Sequence, residues 1–579
     1  MTSTRSRASD TARRPIVWLA AGVIAVLAVL VAAPLAGLVA RTLDSDADGV
    51  WADVFSSPLS ANLLWQPLTN SLLMGLGTGI GATVLGAFLA WVVVLSDVPG
   101  RRVIGVLAAV PFALPSFAIA LAWESVFRND RLGGTPGLLS ALGVAVPDVL
   151  SWGAVPTVLV LTAHYYSLSF VIVSAALWGV GGDLVAAAEL TGASRLRVAT
   201  RIVLPAIAPA LLSGFLLAFA EGVSNFAVPA LLGLPVRFQT LSTRLYGAIA
   251  TGDAARGYAL SIVLVVVAGM VLWAGNRATR GRSFETITGK ASRPRRVVTG
   301  AWRWPLFCTA SLLVAVTAIV PGIVLVVSTV LRRTNSFSGG FTWHYWLGES
   351  DSSIAQGMRG VLRDPVVLSA LQNTVLLGLA VAVGAGLLGL LGAYVVRRIV
   401  RPPLVGATIG FLSYVPFLIP GVAFGAAFIA LFGAQIGPLP SLYGTFAILV
   451  LAGVAASVPF AFQTSRAALG QVSGELEEAA VLTGASGPRR FGRITAPLVS
   501  RGVLGGGVLV FVTMVRDLSL VVLLVTPATP LLATMTYRFA SEGFTQHANA
   551  ITVVIATISV VATIFARRLS DARPTGSTS

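Results

Sequence analysis

Few residues of this 579-residue chain could do chemistry in an apolar setting, and their spacing is informative. Glu221 and Asn225 share one hydrophobic stretch. Arg516 and Asp517 share another, and Asp517 lies 292 positions after Asn225, in an equivalent region. An ionisable side chain near a bilayer centre costs about 2.5 to 3.5 kcal/mol on insertion scales, so each of these carries a functional expectation. Two kinds of chemistry fit: contact with a solute inside the membrane, or an interhelical ion pair such as Glu221 with Arg516. His164, Tyr165 and Tyr166 are further candidates, and Glu124 is expected near the outer interface. His164, His344 and His547 are too scattered to form a metal cluster, so no metal ligands are expected. Cys308 stands alone, which excludes an intrachain disulfide; it reads as a small packed hydrophobe. No phosphate-binding loop is present: Lys290 is followed by Ala291, and Phe284 occupies the place of the first glycine.

The elements that must position these residues are membrane helices. Composition is 56% hydrophobic and 11% charged, against roughly a quarter charged in soluble domains. A helix needs about 20 apolar residues to cross the hydrocarbon core. Twelve segments qualify, at 15–40, 71–95, 103–127, 153–178, 206–233, 257–275, 304–331, 372–396, 404–432, 442–468, 498–526 and 549–566. The first has a charge-free run of 26 residues, too long for a signal-peptide core, and is read as an uncleaved span.

Net charge is +17, which invites a nucleic-acid partner. The distribution argues otherwise. With the N-terminus inside, 26 basic residues fall in inner loops and tails and 11 in outer loops, with Arg466, Arg501 and Arg516 inside spans. That asymmetry predicts both termini cytoplasmic and argues against nucleic acid. Residues 276–303 form a basic cytoplasmic linker near anionic lipid. It separates a first half, 1–275, from a second, 304–579, each with six spans.

The halves repeat one another. Asn70-Ser71 recurs as Asn373-Thr374, and Val110-Pro111-Phe112 with Leu114-Pro115 recurs as Val415-Pro416-Phe417 with Ile419-Pro420. The longest repeat is an inner loop. Residues 183–205, DLVAAAELTGASRLRVATRIVLP, and 475–497, ELEEAAVLTGASGPRRFGRITAP, align without gaps and share 12 of 23 residues. Each predicts a short alanine-rich helix, a turn at glycine, and a basic helix closed by proline at the membrane. The small alanines allow a partner surface to approach closely, and Glu477 and Glu478 lie in a first turn, where the helix dipole favours anions.

This pattern resembles the EAA loop of permease subunits of ATP-binding-cassette importers, in which the loop is the coupling helix seated in a groove of a cytoplasmic ATPase. The second copy matches at Glu478, Ala479, Ala480, Gly484, Ala485 and Pro497, and the first at Ala187, Ala188, Gly192, Ala193 and Pro205. The first departs with Ala186 in place of glutamate and the second with Ala496 in place of leucine, so the two loops are expected to dock asymmetrically. The resemblance covers both halves. It implies an all-α membrane protein with the type I importer permease fold, residing in the bacterial plasma membrane and coupled to two copies of a separate ABC ATPase. An extracytoplasmic solute-binding protein would deliver the solute. No cofactor is then bound by this chain and ATP sits on the partner, so the chain is a transport subunit and not an enzyme. The two-in-one arrangement looks most like the ferric iron, polyamine, thiamine and phosphonate branch, as does FAEGVSNFAVPALLG at 219–233, with ferric iron the leading solute. The resemblance also makes Glu221, Asn225, Arg516 and Asp517 pathway candidates.

The rival is a proton-coupled carrier of the major facilitator type, which also has twelve spans. Asp97-Val98-Pro99-Gly100-Arg101-Arg102 partly resembles that family's loop, but Val93 stands where its glycine is expected, and the duplicated loops go unexplained.

Overall fold

The computed structural model describes residues 16–44, 49–180, 188, 190–279, 296–398, 403–435, 437–438, 440–472, 475, 479–480, 482–483 and 485–571. Ten helices in it are long and apolar enough to cross a membrane, and two bent pairs bring the count to twelve. In the first half they are α1 (Ile16–Thr42), α2 (Ala61–Leu95), the bent pair α3 (Arg101–Ala113) and α4 (Ser116–Phe127), α5 (Ala154–Gly179), α6 (Ala199–Ser224) and α9 (Ala254–Thr279). Two short helices, α7 (Ala227–Leu232) and α8 (Leu241–Ala250), lie between α6 and α9. The second half has α10 (Gly300–Ser328), α11 (Pro365–Arg398), the bent pair α12 (Pro403–Leu418) and α13 (Gly421–Phe432), α14 (Phe446–Gly470), α15 (Phe491–Val515), the short α16 (Leu532–Ser541) and α17 (Thr545–Asp571). A small hairpin, β1 (Leu331–Arg333) and β2 (Ser336–Phe341), follows α10, and Asn335 takes a positive φ in its turn.

The third and ninth spans are not continuous. They bend by 97° and 113° at Leu114-Pro115 and Ile419-Pro420. Proline lacks an N–H and pushes the preceding residue out of the helical region, and Leu114 and Ile419 are both extended. The fifth and eleventh spans also stop short of their expected ends, at Ser224 and Val515. By contrast, Pro205 and Pro497 do not close a helix. A widened π-helical turn at Ala199–Val203, and its counterpart at Phe491–Thr495, precedes each proline, and the helix runs on into the membrane. Such a turn relaxes the backbone pairing where proline cannot donate.

Tight crossings of small residues build the core. A Cβ on Gly86 of α2 would lie 2.7 Å from the Phe170 nitrogen, and one on Gly389 of α11 would lie 2.6 Å from the Ala461 carbonyl carbon. Glycine is what lets α2 meet α5 and α11 meet α14. The two halves exchange their first helices. Ala20, Val23 and Leu27 of α1 pack in one cluster with Leu390, Tyr394, Ile409 and Phe462 of the second half, and the Arg41 Nε donates to the Ala430 carbonyl at 3.2 Å. In return α10 lies on the first half, where the Tyr166 hydroxyl meets the Thr317 hydroxyl at 3.0 Å. Cys308 is exposed on α10, so it is not the packed core residue expected.

The end of the basic linker is stapled to the loop after α2. The Val297 N–H donates to the Leu95 carbonyl at 2.7 Å, and the Thr299 hydroxyl and N–H donate to the Asp97 carboxylate at 2.6 and 3.0 Å. Those two hydrogen bonds hold the Asp97 carboxyl below its usual value.

Candidate functional site

The helix breaks converge on one cavity of about 330 Å³ between the halves. Along α5, Trp152 precedes the helix on the side away from the duplicated loops, His164 and Tyr165 lie midway, and Gly179 ends it on the loop side. His164 and Tyr165 line the cavity, so it sits near mid-membrane. Glu221, Asn225, Arg516 and Asp517 all line it too, which brings together four residues up to 296 positions apart in the chain.

Their environments separate their roles. Asn225 ends α6 in extended backbone, and its Oδ1 accepts from the Val228 N–H at 3.0 Å. Asp517 follows the end of α15, and its Oδ1 accepts from the Leu520 N–H at 3.1 Å. Both side chains hold the chain where a cavity-lining helix breaks, compensating backbone groups that the helix leaves open. Asn225 also donates to the Ser116 and Tyr165 hydroxyls, both at 3.1 Å. The start of α8 is braced by α2, where the Asn70 amide donates to the Gln239 carbonyl at 2.8 Å and the Ser71 hydroxyl accepts from the Leu241 N–H at 2.8 Å. The second half repeats this brace with Asn373 on the Pro530 carbonyl at 3.1 Å and Thr374 on the Leu532 N–H at 3.0 Å. The Asn-Ser and Asn-Thr pairs seen in sequence are therefore structural clamps.

Glu221 and Arg516 have no such duplicated task, since Thr513 and Ser224 stand at their equivalents. Glu221 and Tyr165 line the same cavity. Arg516 reaches across the halves, donating to the Leu114 carbonyl at 3.3 Å with its guanidinium 4.5 Å above the Phe112 ring. Among the described residues Glu221 and Arg516 form no ion pair within 4 Å, so the pairing considered from sequence is replaced by this cation–π and carbonyl contact. Glu124, near the end of α4, is buried and pairs with Arg128 at 2.7 Å. No cluster of three or more His, Cys, Asp or Glu able to hold a metal occurs among the described residues.

The duplicated loops share one turn. In the first, Gly192 takes φ +81°, the Ala193 N–H donates to the Ala188 carbonyl at 3.1 Å, and the Thr191 hydroxyl donates to the same oxygen at 2.8 Å. This is a glycine-terminated helix end. In the second, the Ala485 N–H and the Thr483 hydroxyl donate to the Ala480 carbonyl, both at 3.0 Å. Ala479 is exposed, while Ala187, Glu478 and Gly484 lie outside the described residues. Between the alanines and the turn, Leu190 and Leu482 are each 88% exposed. Leucines so bare at equivalent positions form two small apolar knobs on one side of the molecule.

Two sets of six spans, broken helices around a shared cavity and twin loops define a transport permease made of two fused halves. The chain belongs to the family described as the binding-protein-dependent transport system inner membrane component, which matches at residues 82–275 and 385–573. It is thus an ABC importer permease, a multi-pass protein of the bacterial plasma membrane, and the carrier alternative falls away. Among its relatives, a ferric transport system permease protein of Actinobacillus pleuropneumoniae is 26% identical over 496 residues, covering 81% of this chain and 66% of that one, just under two thirds of its length. A probable ABC transporter permease protein of Sinorhizobium fredii is 26% identical and covers 84% of each chain. A chain in the crystal structure of a bacterial alginate ABC transporter with its pentasaccharide-bound periplasmic protein aligns at 18% identity and a TM-score of 0.32, over 38% of this chain and 83% of that one.

Proposed function

We propose that this permease passes a small solute, ferric iron first among the candidates, through the cavity at Glu221 and Arg516. An external binding protein delivers the solute, and a separate ATPase bound at residues 183–205 and 475–497 drives the cycle. The observation that carries the coupling is the shared turn at Ala188–Ala193 and Ala480–Ala485, each displaying one bare leucine. A paired, rigid peg of this kind suits docking on two copies of one partner, and docking would remove both leucines from water. Ferric iron is favoured because the A. pleuropneumoniae relative is a ferric transport permease.

In the cavity, Asn225 and Asp517 hold the breaks, Glu221 contacts the solute, and Arg516 reports the position of one half to the other. When ATP closes the ATPase dimer the pegs approach, and the halves rock about the exchanged helices α1 and α10. The test is uptake of radiolabelled ferric iron in cells with the permease, ATPase and binding protein. Glu221→Gln is expected to lower uptake with the complex intact. Full uptake by Glu221→Gln, or uptake of another solute only, overturns the assignment.

A further inference from the structure

A second cavity, of about 550 Å³, lies on the side of the molecule away from the duplicated loops. It too is built from both halves. Glu124, Arg128 and Trp152 line it from the first, and Tyr537, Ala540 and Ser541 from the second. Trp152 precedes α5, whereas His164, twelve residues on, faces the central cavity, so the two chambers are stacked along that helix. Arg128 is fixed there by the Glu124 carboxylate at 2.7 Å and lies 5.4 Å above the Trp152 ring.

The short helix α7 forms the partition. Ala227 at its start lines the central chamber, while Ala230 and Leu231 line the outer one. Phe226, directly after the Asn225 break, is fully buried. Its ring centroid lies 4.8 Å from that of Tyr246 and 5.5 Å from that of Tyr537, and the two tyrosines are 6.4 Å apart in an edge-on arrangement. Tyr537 belongs to α16 of the second half and faces the outer chamber. The aromatic cluster therefore joins the two halves across the wall between the chambers.

We propose that Phe226, Tyr246 and Tyr537 are the outer gate of the pathway, and that the chamber beyond it, with the Glu124–Arg128 pair, is where solute waits before the gate opens. The proposal rests on the central cavity being the pathway. The gate is well placed. When the halves rock, α7 and α16 move with different halves, and the contact between Phe226 and Tyr537 must break. Offset and edge-on aromatic pairs give a closed state of moderate depth, which suits a gate that must reopen every cycle. The hinge is Asn225, whose extended backbone separates α6 from α7 and whose side chain pins the start of α7 at Val228.

Thiol labelling tests this in a Cys308→Ser background, since Cys308 is exposed. Thr513→Cys reports the central chamber and Ser541→Cys the outer one. The probe is a charged, membrane-impermeant maleimide added to the face away from the duplicated loops of the chain in liposomes. Ser541→Cys is expected to react in every variant. Thr513→Cys is expected to react slowly with the native gate, about tenfold faster or more with Tyr537→Ala, and at the native rate with Tyr537→Phe, which keeps the ring. Tyr246→Ala is the second gate variant should Tyr537→Ala fail to fold. If both alanine variants leave the Thr513→Cys rate unchanged while the reagent still reaches it from the loop-bearing face, the gate proposal is overturned and the pathway stands. If no aqueous reagent reaches Thr513→Cys from either face, the pathway reading falls and the gate with it.

Discussion

Asn225 and Asp517, 292 residues apart, make the same hydrogen bond in opposite halves: each Oδ1 accepts from the backbone N–H three residues on, at 3.0 and 3.1 Å. The bond fixes where a cavity-lining helix ends, and it requires only an acceptor oxygen. One position carries a carboxylate and the other an amide, so charge is not what the site selects. Asp517→Asn should therefore keep uptake and thermal stability near the native level. Asp517→Ala should lose about 1 kcal/mol with the missing bond and lower the melting temperature in detergent. An equal loss in the two variants would assign Asp517 a role through its charge.

Gly192 has open space around it, and its φ of +81° is the only obstacle to a side chain. Gly192→Val should strain the turn by about 1 to 2 kcal/mol and weaken ATPase binding, with the transmembrane core unchanged. Affinity for the ATPase, measured against the melting temperature of the isolated permease, separates these effects.

Gly86 and Gly389 act in the opposite way, since a Cβ at either meets backbone. Gly86→Val and Gly389→Val should each push a pair of core helices apart and abolish a folded, monodisperse peak in size-exclusion chromatography. Folded protein from either variant would show that the crossings can open.

The Asp97–Thr299 staple has a pH dependence of fixed sign. The folded carboxyl titrates below its ordinary value of 3.8, so its contribution is present at neutral pH and lost as the pH falls through and below that value. Thr299→Val should remove the side-chain bond. It should also speed hydrogen exchange at Val297, corrected for intrinsic rate, to a level that acid produces in the native chain. No change at Val297 would mean that the pairing with Leu95 suffices.

Much of this was legible in the sequence because duplication supplies an internal comparison. The twelve spans and the twin loops follow from hydropathy and spacing, and the four pathway candidates from their spacing together with the family resemblance; those four share one cavity. The bends at Pro115 and Pro420 were visible as repeated prolines but not as breaks, because hydropathy averages over a bend. Pro205 and Pro497 read in sequence as helix closures, but a widened turn upstream absorbs each proline without ending the helix. The partners of Arg516 were out of reach: Phe112 and the Leu114 carbonyl lie about 400 residues away, and nothing local marks them. Tyr537 was missed for the same reason, as its significance arises only where the halves meet.

The central claim is that the paired loops seat a separate ATPase. The direct measurement is purification of the tagged permease in mild detergent, with native mass spectrometry and ATP hydrolysis on what is recovered. The expected result is two ATPase subunits per chain, both lost in a Leu190→Asp, Leu482→Asp double variant that still folds. An intact permease that recruits no ATPase, and takes up solute when a proton gradient alone is imposed, would contradict it.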